Sequence, residues 1–147
     1  MEKISKKTSN PILDQVSLIK QFIGNWTCQY GKDTILVIEN MPFGAGMVSN
    51  CQIIQKNIVL DSIRQLYGYD KKTDKFIMAE LIESSAGIEI CTIWFTSRNS
   101  GEMVVTNTEN AKYKWSFKFK TPDLIRQIAK LDGRVAKEVI LTRTKSK

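Results

Sequence analysis

The sequence predicts an all-β protein: an antiparallel, up-and-down, closed β-barrel of about ten strands with one short N-terminal helix. Three observations carry this. After Gly24, short β-rich runs recur, each bounded by turn residues. The intervals between them are too short for crossover helices, so neighbouring strands form antiparallel hairpins. So many strands also exceed a comfortable open sheet, and closure removes both exposed edges.

The elements follow in order. Residues 1–9 are polar and basic and read as a flexible tail, leaving 10–147 as a single barrel domain. A chain of 147 residues suits one domain and can bury a real core without disulfides or metals. Asn10 and Pro11 read as the N-cap and first position of a helix. Ile12, Leu13, Val16, Ile19 and Phe22 form one apolar stripe over about three turns, and Gly24 ends it. The strand expectations are 26–30, 35–39, 47–55, 59–67, 75–83, 88–96, 102–108, 113–120, 124–131 and 135–144. The clearest is 113–120. Tyr113, Trp115, Phe117 and Phe119 alternate there with Lys114, Ser116, Lys118 and Lys120, so one face is aromatic and the other polar. Residues 41–46 read as an inter-strand loop, a lid at the open mouth. Their two glycines lack the lysine and following helix of a phosphate-binding loop.

Composition excludes several chemistries. The chain contains no histidine, which removes His-based acid–base catalysis and His ligation of metal or haem. Cys28, Cys51 and Cys91 are widely spaced and form no C-x-x-C, so they read as small apolar strand residues. No cofactor is expected. The longest apolar runs fall far short of the ~20 residues a bilayer helix needs. No continuous apolar segment follows the basic start, so the sequence predicts a cytoplasmic protein without a membrane partner. The net charge of +7 is concentrated late: residues 112–147 hold 11 Lys/Arg against 3 Asp/Glu. In an up-and-down barrel the last strands are neighbours, and this excess would form one basic flank.

Several segments carry a family resemblance. Phe22-Ile23-Gly24-Asn25-Trp26 after a short helix resembles the G-x-W opening of lipocalin-type (calycin) barrels. Gly68-Tyr69-Asp70 before a polar turn and a strand, and the closing run Val139-Ile140-Leu141-Thr142-Arg143, resemble a family of lipocalin-like bacterial β-barrel proteins of unknown function. The resemblance spans about 18–143. It implies a barrel capped at one end by the N-terminal helix, and a barrel-closing pair of Trp26 and Arg143, with the guanidinium stacked on the indole. It implies no settled activity. Met78-Ala79-Glu80-Leu81 stands where the family commonly has a tryptophan.

Two further sets of residues are candidates for a cavity. Taking Lys72 as the centre of the 70–74 turn places Arg64 opposite Glu80, Leu66 opposite Met78 and Ser62 opposite Ile82. Turned inward, Arg64 and Glu80 would be a charge pair in the cavity; turned outward, an ordinary cross-strand salt bridge. A slip of one residue removes the pairing. Tyr67, Trp94, Trp115 and Phe117 are candidate cavity walls, or plain core. The leading functional expectation is binding of a small hydrophobic or amphiphilic molecule, an anionic one among the options, inside the barrel. An enzyme using Glu80, Tyr67 and Arg64 as acid–base groups is the alternative. A basic module for nucleic acid or an acidic partner is the third reading. It is disfavoured because strict alternation separates lysines from aromatics, which a nucleic-acid stacking platform needs together. The sequence leaves the oligomeric state open.

Overall fold

The structure, a computed structural model, describes residues 12–144. Within them ten antiparallel strands close into a barrel. They are β1 (Gly24–Gln29), β2 (Thr34–Phe43), β3 (Gly46–Gln55), β4 (Ile58–Asp70), β5 (Lys75–Ile82), β6 (Ile88–Phe95), β7 (Ser100–Val105), β8 (Lys114–Thr121), β9 (Leu124–Leu131) and β10 (Arg134–Arg143). Each pairs with its sequence neighbours, and β1 pairs with β10 to close the ring. The up-and-down barrel expected from the hairpin spacing is therefore present, and it is consistent with a calycin-like fold. Two turns show the local chemistry plainly. Lys56-Asn57 and Asp132-Gly133 are two-residue connections with positive φ at both positions, the geometry that matches the twist of the flanking strands.

Three local expectations change. Residues 1–9, Asn10 and Pro11 lie outside the described residues, but 12–14 are not helical and Ile12 is exposed. The helix is only α1 (Gln15–Leu18), capped by the Asp14 carboxylate on the Ser17 amide, and it continues as a 3₁₀ turn (Ile19–Phe22). Asp14 supplies the N-cap four residues later than the Asn10-Pro11 signal indicates. Met41, Pro42 and Phe43 belong to β2, paired with β3 through Phe43↔Gly46. The connection is thus a tight hairpin at the closed end, not a lid at the mouth. Proline is tolerated there because β1 pairs with β2 only up to Asn40, so one edge of β2 is free beyond it. Residues 106–108 leave β7 and lead into a second 3₁₀ turn (Glu109–Lys112).

The helical segment plugs one end. The Gln15 side chain exchanges two hydrogen bonds with the Phe95 backbone, at 2.9 and 2.8 Å, docking α1 on β6. Phe22 enters the barrel and meets Phe117 and Phe119 edge-on, with centroids 5.2 and 5.0 Å apart. Phe95 joins at 5.0 Å from Phe117, so four rings make an aromatic floor. The Phe22 carbonyl accepts from Trp26 Nε1 and Asn40 Nδ2, both at 2.8 Å. Arg143 then holds the seam. Its guanidinium lies 4.2 Å from the Trp26 ring centroid. It donates to the Ile23 and Gln21 carbonyls at 2.6 and 3.0 Å and to Asp123 at 3.0 Å. Gly24 has φ +122°, and a Cβ there would collide with the Arg143 guanidinium. The Gly-x-Trp spacing thus has a mechanical meaning: the glycine leaves room for the arginine that the tryptophan stacks upon.

The last three strands are neighbours; Lys114, Lys118 and Lys120 of β8 and Arg126 and Lys130 of β9 share one flank, and β10 brings Glu138 to it, paired with Arg126 at 3.0 Å. Lys114 faces Lys130 and Lys118 faces Arg126 directly across the strands. The aromatics of β8 point the other way, with Phe117 and Phe119 buried.

Candidate functional site

Above the aromatic floor the barrel encloses a cavity of about 300 Å³, the lower end of the size range of small-molecule sites. Its apolar wall includes Leu36, Ile38, Met78, Cys91, Met103 and Trp115. Its polar groups include Gln65, Tyr67, Glu80, Glu89, Gln127 and Lys137. A vestibule of about 380 Å³ adjoins it, sharing Glu89, Trp115 and Lys137 and extending to Asn110 and Tyr113. A larger groove, about 530 Å³, runs along the outside of β1–β4 beside Val37, Glu39, Asn50 and Arg64. It lies on the outer surface and is more open to solvent than the barrel cavity, so the interior is the candidate site.

The polar side is one connected arrangement. The Tyr67 hydroxyl donates to Gln65 Oε1 at 2.7 Å, and Gln65 Nε2 donates to Glu80 Oε2 at 2.5 Å. Glu80 and Glu89 are direct cross-strand partners on β5 and β6, and both face inward. Two like charges opposite one another are unfavourable, and the neighbourhood answers this in part. Glu89 Oε2 accepts from Thr108 Oγ1 and Asn110 Nδ2, at 3.2 and 2.9 Å. Burial raises the Glu80 pKa above the ordinary carboxyl value, and Glu89 raises it further, against the Gln65 hydrogen bond. Burial also raises the Tyr67 pKa, keeping its hydroxyl a donor. Burial, with Glu89 and Glu80 nearby, pushes the Cys91 thiol up to about 12. All three cysteines are free and buried. Lys137 holds its ammonium 5.7 Å from the Tyr30 ring at the rim. Among the described residues, no group of three or more Cys, Asp or Glu side chains converges to hold a metal ion.

The sequence candidates separate into three places. Tyr67, Glu80 and Trp115 line the cavity. Phe117 lies deeper, in the floor. Arg64 and Trp94 are outside: Arg64 is exposed and donates to Asn50 at 3.2 Å, and Trp94 lies under Lys75 Nζ, 3.9 Å from the ring centroid. The expected Arg64–Glu80 opposition does not form. Asp70 pairs with Lys75, so the turn is four residues long and its centre falls between Lys72 and Thr73. Arg64 then faces Leu81, and Gln65 takes the place opposite Glu80. This half-step moves Arg64 to the opposite face of the sheet from Glu80.

Gln65, Glu89, Gln127 and Lys137 were missed by sequence reasoning. Gln65 becomes legible once Tyr67 is known to point inward, since alternate residues share a face. Glu89 carries no such signal. In β6 the outward set Ile88, Ile90, Thr92 and Trp94 is as apolar as the inward set Glu89, Cys91, Ile93 and Phe95, and periodicity cannot orient the strand.

The raised Glu80 pKa has a consequence for stability. The native state binds a proton at Glu80 more tightly than the unfolded chain does, so stability falls as pH rises from the unfolded pKa through the folded one. Glu80→Gln keeps an acceptor for Gln65 and removes the ionisation. The variant should melt above the parent at pH 7–8, with the gain shrinking at pH 4 and below. A pH-independent difference in melting temperature would contradict this assignment.

No helix among the described residues is long and apolar enough to cross a membrane. Comparison with protein-family models and with curated proteins found no match.

Proposed function

We propose that this chain is a lipocalin-like binder that holds a small amphiphile inside its barrel, apolar part toward Met78, Met103 and Trp115, polar end toward Glu80 and Glu89. The single observation carrying this reading is the cavity inside the barrel, which is lined by an apolar wall and by two carboxylates from cross-strand neighbours, Glu80 and Glu89. The polar end is expected to be a hydrogen-bond donor, such as an amine or alcohol. Gln65 occupies one oxygen of Glu80, and no described residue donates to the other. An anionic head has less support than the sequence suggested, because Arg64 lies on the outer face and Lys137 sits at the rim. Binding stands ahead of catalysis for the same reason: Arg64 does not meet Glu80 and Tyr67, so the acid–base trio is not assembled. Three free thiols suit a reducing compartment, and the cytoplasm is the proposed location.

The test has two parts. Native mass spectrometry of the purified protein, beside its denatured mass, should show a bound species that is lost on unfolding. Titration with decylamine, decanol and decanoate, followed by tryptophan fluorescence, should show decylamine and decanol binding at least tenfold more tightly than decanoate at pH 8. Met78→Trp, which fills the cavity, should weaken both at least tenfold while preserving the far-ultraviolet circular dichroism. Equal binding by the parent and Met78→Trp would place the ligand outside the barrel and end this reading.

A further inference from the structure

The outward faces of β4, β5 and β6 carry three charged residues, Arg64, Asp70 and Lys75, the last two paired across the strands toward the closed end, and between them the surface is apolar. Cross-strand register sets this surface out in three rows: Gly68–Ile77–Thr92, Leu66–Ala79–Ile90 and Arg64–Leu81–Ile88. Arg64, at one edge, is the single charged residue of the nine. The middle row continues through Val48 on β3 to Met41 on β2, so five adjacent strands carry one unbroken apolar line. Leu66, Ile77, Leu81 and Ile88 keep 58%, 44%, 56% and 47% of their surface exposed. Antiparallel sheets with one wet face normally alternate apolar-in and polar-out, and β8 does so with its lysines. Strands β4–β6 do not, although their inward residues already serve the cavity and floor.

We propose that this face is a homodimer interface, in which two copies of the chain pack β4–β6 against β4–β6 about a two-fold axis. Charge favours a second copy seated here. The chain carries +7, and two copies repel least when their apolar faces meet. The lysine-rich flank of β8 and β9 lies three and four strands round the barrel from β5 and points away from that contact. Topology favours it too: the barrel closes without a full-length free edge strand, leaving only short overhangs such as residues 41–43 of β2, so association proceeds through faces. A face of one apolar character is self-complementary, as a two-fold contact requires. Its small size points to weak association. Three strands at ~4.8 Å spacing and three rows at ~6.8 Å give a footprint of roughly 14 by 20 Å. That lies at the lower end of the largest apolar patches on soluble monomers, about 300–600 Å², and falls well below the ~800 Å² per partner of standard interfaces. The dimer is therefore expected to dissociate in the micromolar range.

Sedimentation of the full chain from about 1 to about 300 µM tests this. The mass should rise from 16.8 kDa towards twice that value, and added salt should preserve the dimer, because apolar contacts are not screened. Leu66→Lys and, separately, Leu81→Ser should weaken dimerisation at least tenfold with unchanged circular dichroism, since both side chains are outward and half exposed. A monomer at every concentration would overturn the proposal, including one that floats with phosphatidylglycerol vesicles through this face. So would a dimer that both variants leave intact.

Discussion

Trp26→Ala should lose about 3–5 kcal/mol of unfolding free energy, the largest effect expected of any single truncation in this barrel. Trp26 is 1% exposed and acts in three ways at once. Its ring fills the closed end beside Phe119, with centroids 6.3 Å apart. Its Nε1 satisfies the Phe22 carbonyl at 2.8 Å. Its face carries the Arg143 guanidinium, a contact of ~0.5–2 kcal/mol. Truncation leaves a large void that the aromatic floor cannot collapse into without dismantling the Arg143 contacts to Gln21 and Ile23. A typical domain has only about 5–15 kcal/mol in total, so the variant should be marginal at 37 °C. Denaturant titration measures the loss, and Trp26→Phe should recover part of it by refilling the volume. A loss under about 1 kcal/mol would mean that the closed end is not the stability centre described above.

Gly101→Ala should be the most damaging addition of a single methyl group, costing about 3 kcal/mol. Gly101 is buried on the inner face of β7, opposite Phe117. A Cβ built there overlaps both the Trp94 carbonyl oxygen and the Phe117 ring. The ring is held by Phe22 and Phe95, and the carbonyl belongs to the β6–β7 ladder. Neither can yield without separating strands or breaking the floor. The expected readouts are a melting temperature lower by roughly 10 °C and a weakened near-ultraviolet circular dichroism signal from the floor aromatics. A parent-like melting curve would show that the floor is looser than this packing implies.

The sequence by itself determined the architecture. Turn signals spaced every few residues, with no room for crossover helices, led to ten hairpin-connected strands, and the observed strand limits fall within a few residues of those expected. The strict aromatic–lysine alternation of β8 also oriented that strand correctly. Both are local signals, written in consecutive residues, and local physics reads them directly. Only the tertiary structure decided which residues share the cavity. A one-residue difference at the 70–74 turn moved Arg64 outside and put Gln65 beside Glu80, because a strand's side chains change face at every step. Strand β6 is apolar on both faces, so its Glu89 could be turned inward only by pairing with β5, and its Trp94 outward only by the same pairing. For β6 the ambiguity has one cause: its outer face is as apolar as its inner one, which removes the contrast that orients a strand from its sequence.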